Sequence, residues 1–252
     1  MRRVVAAVAG IVGVLALAVV VFLVWANILF QGEREPSLDA WRSDAVEISR
    51  TDEGFLIEPT SGQSDAGLVF IPGAKVEPSA YLSKLSGIVE ETGMTVVITH
   101  PTLNLAFFDT RPLSAFTDDA PEVAHWFVGG HSLGGVRACQ LAEGADATGG
   151  PSVVGLVLFG SYCANDLSGT ELDVLSLVGE HDGLSTPEKV ASAAHLLPAD
   201  AESVLLEGAN HASFGDYGPQ PGDGVATADR QTIRDDIASA VASFLADRGI
   251  AG

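Results

Sequence analysis

The chain has 252 residues, 47% of them apolar, a content that excludes an extended disordered protein and suffices for one domain with a substantial core. Its 13 basic and 33 acidic side chains give a formal charge of −20 at pH 7. Such a field repels nucleic acid and anionic surfaces, favours neutral or cationic partners, and says nothing of the fold.

From Val4 to Phe30 no residue is charged. As a helix rising about 1.5 Å per residue, this run reaches roughly 40 Å, more than the roughly 30 Å of a bilayer's apolar core. Arg2 and Arg3 precede it, and Glu33, Arg34 and Glu35 follow it. The positive-inside tendency then leaves the N-terminus cytoplasmic and everything after the run outside. The expectation is a single-pass transmembrane anchor over residues 1–30 in the cell membrane. The rival is a signal peptide cut before Asn27, after Val24-Trp25-Ala26, which would leave a secreted protein. Signal-peptide apolar cores of about 7–15 residues are much shorter than this run. With Arg2 and Arg3 left inside, the exported part keeps 11 basic and 33 acidic residues, a formal −22.

Residues 31–45, QGEREPSLDAWRSDA, read as a polar linker with an exposed turn at Pro36, leading to a domain over 46–252. Val46 to Ser49 and Phe55 to Glu58, divided by TDEG, read as an opening hairpin. Six apolar strands follow: 68-LVFIP-72, 95-TVVIT-99, 124-AHWFVG-129, 153-VVGLVLFG-160, 174-VLSLV-178 and 203-SVLLE-207. Runs without polar alternation suit strands covered on both faces. Helical stretches run over Pro78 to Thr92, Ser132 to Glu143, Thr186 to Leu197 and Ala226 to Asp247. The alternation predicts an α/β fold, a mostly parallel central sheet flanked by helices, with sites at the strands' carboxyl ends. A long Gly/Pro/Asp loop, 215-GDYGPQPGDGVA-226, precedes the last helix.

Between the third of these strands and its helix lies 128-VGGHSLGG-135. A G-x-S-x-G pattern alone is weak, but a sharp strand-to-helix turn strains the serine's backbone and leaves no room for side chains two positions either side. Gly130 and Gly134 meet that demand, so Ser132 is the candidate nucleophile. Serine needs a histidine base, and the base needs a carboxylate to hold its tautomer. On this architecture they follow in the order Ser, acid, His at later strand ends. The loop 179-GEHDG-183 offers Glu180 and Asp182, and 208-GANHASFG-215 offers His211. Asp182 is preferred to Glu180 because it lies further from the strand, with Gly183 giving room to turn back. His100, His125, His131, His181 and His195 fall outside the last loop. No histidine or cysteine pair has metal-ligand spacing, so no metal is expected. Two backbone amides would form the oxyanion hole, Leu133 and one from 71-IPGAK-75, where Ala74 is chosen over Lys75.

Cys139 and Cys163 would lie in an oxidising compartment, where a bridge forms if the Cα atoms come within about 7 Å. Cys139 falls about 10 Å down the helix from Ser132, whereas Cys163 follows a strand ending near the serine's level. Two separate buried thiols are the expectation, the disulfide the alternative.

On FIPGAKVEPSAY, HPTLNLAFF, GGHSLGG, GEHDGLSTPE and GANHASFGDYGPQPGDG, spanning roughly Leu68 to Leu245, the chain resembles the α/β-hydrolase superfamily. More narrowly it is similar to the bacterial α/β-hydrolase fold-5 family, akin to dienelactone hydrolases. The resemblance implies Ser132, Asp182 and His211 as a triad that works without a cofactor. It does not imply a substrate, and the chain lacks an HGGG-type oxyanion motif. The short connection after Gly160 leaves room for only a minimal lid. Leu103, Leu105, Phe107 and Phe108 offer either a pocket lining or core packing. The expectation is a serine hydrolase acting on a small or medium neutral carboxylic ester through an acyl-enzyme. An amidase or thioesterase of the same fold is the alternative within enzymes, and a non-catalytic binding protein the alternative outside them.

Overall fold

The computed structural model describes residues 1–148 and 151–250. Helix α1 (Arg2–Ala26) has an 18-residue window of mean hydropathy 3.0, and none of that window is buried by the rest of the chain. One such N-terminal helix fits a membrane anchor and a signal sequence alike.

Eight strands make one sheet in the order β1-β2-β4-β3-β5-β6-β7-β8. β1 (Val46–Arg50) and β2 (Gly54–Pro59) form the expected hairpin, and β2 runs antiparallel to β4 (Thr95–Thr99). From β4 the pairing is parallel through β3 (Ala66–Ile71), β5 (His125–His131), β6 (Val153–Phe159), β7 (Asp173–Gly179) and β8 (Glu202–Leu206). Every residue of β3 and β4 is buried, which is why these runs show no polar alternation. β8 is different. It is the sheet's edge, with Leu205 52% exposed, so an apolar run read as doubly covered is covered on one face only.

The two faces carry separate cores. On one, Phe70, Phe127 and Leu177 pack under α3 (Leu82–Thr92) and α7 (Arg230–Asp247) through Leu85, Ile88, Ile233, Ile237 and Phe244. On the other, Val69, Trp126 and Val128 pack under α4 (Ser114–Thr117) and α5 (Leu133–Thr148) through Phe116, Ala138 and Cys139. Each fully buried large side chain contributes about 1.5–3 kcal/mol. A short helix, α6 (Pro187–Ala193), follows the turn after β7, with Thr186 capping Lys189 N.

Two expectations are corrected. Residues 31–45 are not a plain linker with an exposed turn, because α2 (Arg34–Arg42) occupies their middle, packs on α3 and buries Pro36. Proline is tolerated in the first turn of a helix, where no intrahelical amide bond is lost. Cys139 and Cys163 are bridged, with Cα atoms 5.6 Å apart. The chain after β6 does not stay at the serine's level but descends along α5. There Ser161 Oγ donates to Ser132 O at 2.7 Å and Asn165 Nδ2 to Cys139 O at 3.2 Å, which carries Cys163 down to its partner.

Candidate active site

Ser132 stands between β5 and α5 with φ 52°, in the left-handed region that costs a residue with a Cβ of order 1–3 kcal/mol. Neighbours over-determine it: Ser132 N donates to Phe159 O at 3.1 Å, and Ser132 O accepts Ser161 Oγ. A Cβ on Gly130 would meet Ile71 O and Gly134, and one on Gly134 would fall inside the radii of Ile71 O and Pro72 O. The glycines are therefore demanded by the approach of β3 to the turn.

The loop after β7 brings Asp182 under the next loop. Asp182 Oδ1 accepts Leu184 N at 2.8 Å and Ser185 N at 2.7 Å, leaving Oδ2 to meet His211 Nδ1 at 2.7 Å. Both side chains are almost completely buried, 0% and 1% exposed. Glu180 is turned elsewhere, accepting Gly208 N at 2.8 Å. The Ser132 hydroxyl makes no hydrogen bond to His211 among the described residues.

His211 opens a short 3₁₀ turn capped reciprocally by Asn210 and Ser213. A carboxylate that sequence reading passed over fixes this turn. Asp223, in the Gly/Pro loop, accepts Gly183 N at 3.1 Å and His211 N at 3.0 Å through Oδ1, and Ala212 N at 2.9 Å through Oδ2. The long loop thus braces the acid's loop and the histidine's together. Only its composition was visible in sequence, since an aspartate in a glycine-rich loop carries no sign of what it reaches.

The strand end after β3 supplies amides. Gly73 N donates to Tyr81 Oη at 3.0 Å and Lys75 N to Asn104 O at 2.8 Å. Between them, Ala74 N finds no acceptor among the described residues, and neither does Leu133 N. Tyr81 Oη also bonds His131 Nδ1 at 2.9 Å, and the buried Nε2 of His131 has no hydrogen-bond partner among the described residues. Burial, and then the nearby His211, hold the His131 imidazole well below the usual histidine range. Burial likewise pushes the Tyr81 phenol above its ordinary value.

The four non-glycine residues of positive φ among the described residues are Lys75, Leu103, Asn104 and Ser132. Three lie in the turns after β3 and β4, beside the fourth, so backbone strain is concentrated at this edge of the sheet. Leu105 is buried, but Phe107 and Phe108 are 54% and 49% exposed and serve neither as core nor as an enclosed lining. Among the described residues no group of three or more His, Cys, Asp or Glu side chains could hold a metal ion.

With the fold and this edge in view, the chain belongs to the alpha/beta hydrolase family, whose model matches residues 67–235. Similar solved structures include an esterase from Pyrobaculum calidifontis at 15% identity and TM-score 0.59, covering 86% of this chain and 92% of that one. The esterase LipW from Mycobacterium marinum shares 17% identity at TM-score 0.56 over 85% of each chain. Carboxyl esterase 2 from the fungus Tuber melanosporum shares 14% at TM-score 0.56, over 84% of this chain and 91% of that one. At such identities the likeness is one of fold. No curated protein matches the sequence at a significant level.

Proposed function

We propose that the chain is a carboxylic-ester hydrolase acting through an acyl-enzyme on Ser132, held by α1 at the outer face of a membrane. Ser132 Oγ attacks the ester carbonyl while His211 Nε2 takes its proton, and the carbonyl's electron pair moves onto oxygen. The Leu133 and Ala74 amides stabilise that oxyanion, each such donor being worth about 10²–10³ in rate. The tetrahedral centre collapses, His211 returns the proton to the departing alcohol, and the acyl group stays on Ser132. Water, deprotonated by His211, then releases the acid and restores the serine. Asp182 holds the proton on Nδ1, which leaves Nε2 as the base. No cofactor enters any step.

The observation that carries this reading is the buried 2.7 Å bond between His211 Nδ1 and Asp182 Oδ2, and the left-handed backbone at Ser132 supports it. A serine–histidine bond that is absent without substrate is common and tightens on binding. The similar structures include esterases, which makes an ester the first bond to test. The bridged cysteines support an extracytoplasmic domain, since disulfides persist in oxidising compartments.

A fluorophosphonate probe should label the wild-type chain and leave Ser132→Ala unlabelled. Equal labelling of both would remove Ser132 as nucleophile. In cell fractionation the full-length chain should stay with membranes through a carbonate wash. A soluble protein at the mass of residues 27–252 would overturn the anchor.

A further inference from the structure

The end of α1 does not hang free of the site. Asn104 Nδ2 donates to Ala26 O at 3.2 Å, and the Lys75 ammonium lies 4.3 Å from the centre of the Trp25 ring. Phe22 meets Phe108 edge to face at 5.8 Å between centroids. Beyond the helix, Phe30 N donates to Lys75 O at 2.8 Å and Glu77 N to Phe30 O at 3.0 Å. The turns that α1 grips are therefore the two beside Ser132, after β3 and β4. The membrane end of the molecule and the carboxyl edge of its sheet are the same edge.

That edge also carries apolar surface that the fold leaves open. Phe107 and Phe108 are half exposed on a 3₁₀ turn that packs against α5, the helix that begins at Leu133. At the end of α1 Trp25 is 48% exposed and, just after it, Ile28 62% exposed, and Phe22 stands between Trp25 and Phe108. Aromatic side chains at the end of a spanning helix settle at the headgroup level, and Phe107 and Phe108 continue that belt from Trp25 onto the domain. We propose that this aromatic lip sits in the outer headgroup layer of the bilayer that α1 spans, so that the site takes ester amphiphiles resident in that layer. The inference rests on the anchored-esterase reading. It also accounts for the short connection from Gly160 to Leu172, since a site facing a bilayer is covered by the bilayer. The formal −22 of the exported part selects an uncharged headgroup over an anionic one.

The test uses the full chain in phosphatidylcholine proteoliposomes, with 1-lauroylglycerol in the bilayer and p-nitrophenyl acetate in the buffer. In the variant Phe107→Ser/Phe108→Ser, hydrolysis of the bilayer-held ester should fall tenfold or more while p-nitrophenyl acetate turnover stays within twofold. Phe107→Leu/Phe108→Leu, which keeps the apolar contact, should recover most of the loss. An unchanged ratio between the two substrates overturns the proposal. So does a wild-type chain that cleaves p-nitrophenyl acetate but not the bilayer-held ester. Failure of the underlying reading looks different: Ser132→Ala would keep its p-nitrophenyl acetate activity, or carbonate would strip the chain from the vesicles.

Discussion

The imidazole of His131 lies against that of His211, with ring centroids 4.3 Å apart and planes inclined by 45°. One ring belongs to the elbow and the other to the last loop, 80 positions on in the sequence. Their contact ties two strand ends together, and burial above all, with His211 adding to it, makes His131 costly to protonate. In the unfolded chain His131 binds a proton near its ordinary value of 6.5, whereas in the fold it stays neutral well below that. Its contribution to stability is therefore complete above about pH 6.5 and is lost as pH falls, by up to about 1.4 kcal/mol per unit. In urea titrations at pH 7.5 and 5.5, wild type should lose more stability on acidification than His131→Gln does. Equal losses would mean that His131 titrates normally in the fold.

Asp182→Asn should keep the fold and lose the chemistry. Its side-chain oxygen can still accept Leu184 N and Ser185 N, which directs the amide NH₂ at His211 Nδ1 and forces the proton onto Nε2. The wrong tautomer leaves no base, and kcat/KM on p-nitrophenyl acetate should fall by about 10³–10⁴. Glu180→Gln, whose carboxylate faces Gly208 N instead, should stay within a few-fold of wild type. A reversed order of the two effects would reassign the acid.

Asp223→Ala removes the acceptor of four backbone amides at once, Gly183, His211, Ala212 and Gly224. The Gly183 bond is exposed and the others are part-buried, so at no more than about 1 kcal/mol each the native state should lose about 3 kcal/mol in denaturant titration. Activity should drop even at temperatures where the chain stays folded, because His211 and the Asp182 loop lose their common brace. Full activity in a folded Asp223→Ala chain would show that Asp182 alone fixes the histidine.

Gly134→Ala adds one methyl group where Ile71 O and Pro72 O already stand. The atoms in the way are backbone, so relief requires β3 and α5 to separate, at about 2–3 kcal/mol or more. Gly144→Ala, on the same helix with nothing near its added Cβ, is the control. It should be neutral or slightly stabilising by circular-dichroism melting. Matched melting temperatures for the two variants would contradict the packing described at the elbow.

Reduction of the Cys139–Cys163 bridge opens a loop with a sequence separation of 24. Chain entropy puts the loss at about 3 kcal/mol, visible as a lower urea midpoint for Cys139→Ser/Cys163→Ser. An unchanged midpoint would mean that hydrogen bonds such as Asn165 to Cys139 O hold the segment without the bridge.

The parts of this molecule legible in sequence are those whose physics is local. The glycines around Ser132 mark a steric problem within five residues, and the apolar runs of β3 and β4 mark burial residue by residue. The pairing of Asp182 with His211 was legible because each lies in a loop directly after a strand, where chain order fixes place. Contacts that depend on where a loop travels were not legible. The bridge, Asp223 beneath His211, and Tyr81 between Gly73 and His131 all join residues that no periodicity links. Helix α2 was hidden for a different reason: its composition is polar, and only docking on α3 explains why it folds.

Three residues, Asn27, Ile28 and Leu29, separate α1 from the first strand-like pairing with the domain, between Phe30 and Val76. Fully extended, such a tether spans about 10 Å. With α1 embedded, the domain has almost no radius of excursion. On that proposed topology it would not reach toward a second membrane or sample the bulk, and its encounters would be set by lateral diffusion. Substrate supply would then scale with surface density in the membrane rather than with volume concentration around it. A flexible insert among those three residues would let the domain lift off the headgroup layer while α1 still tethers it.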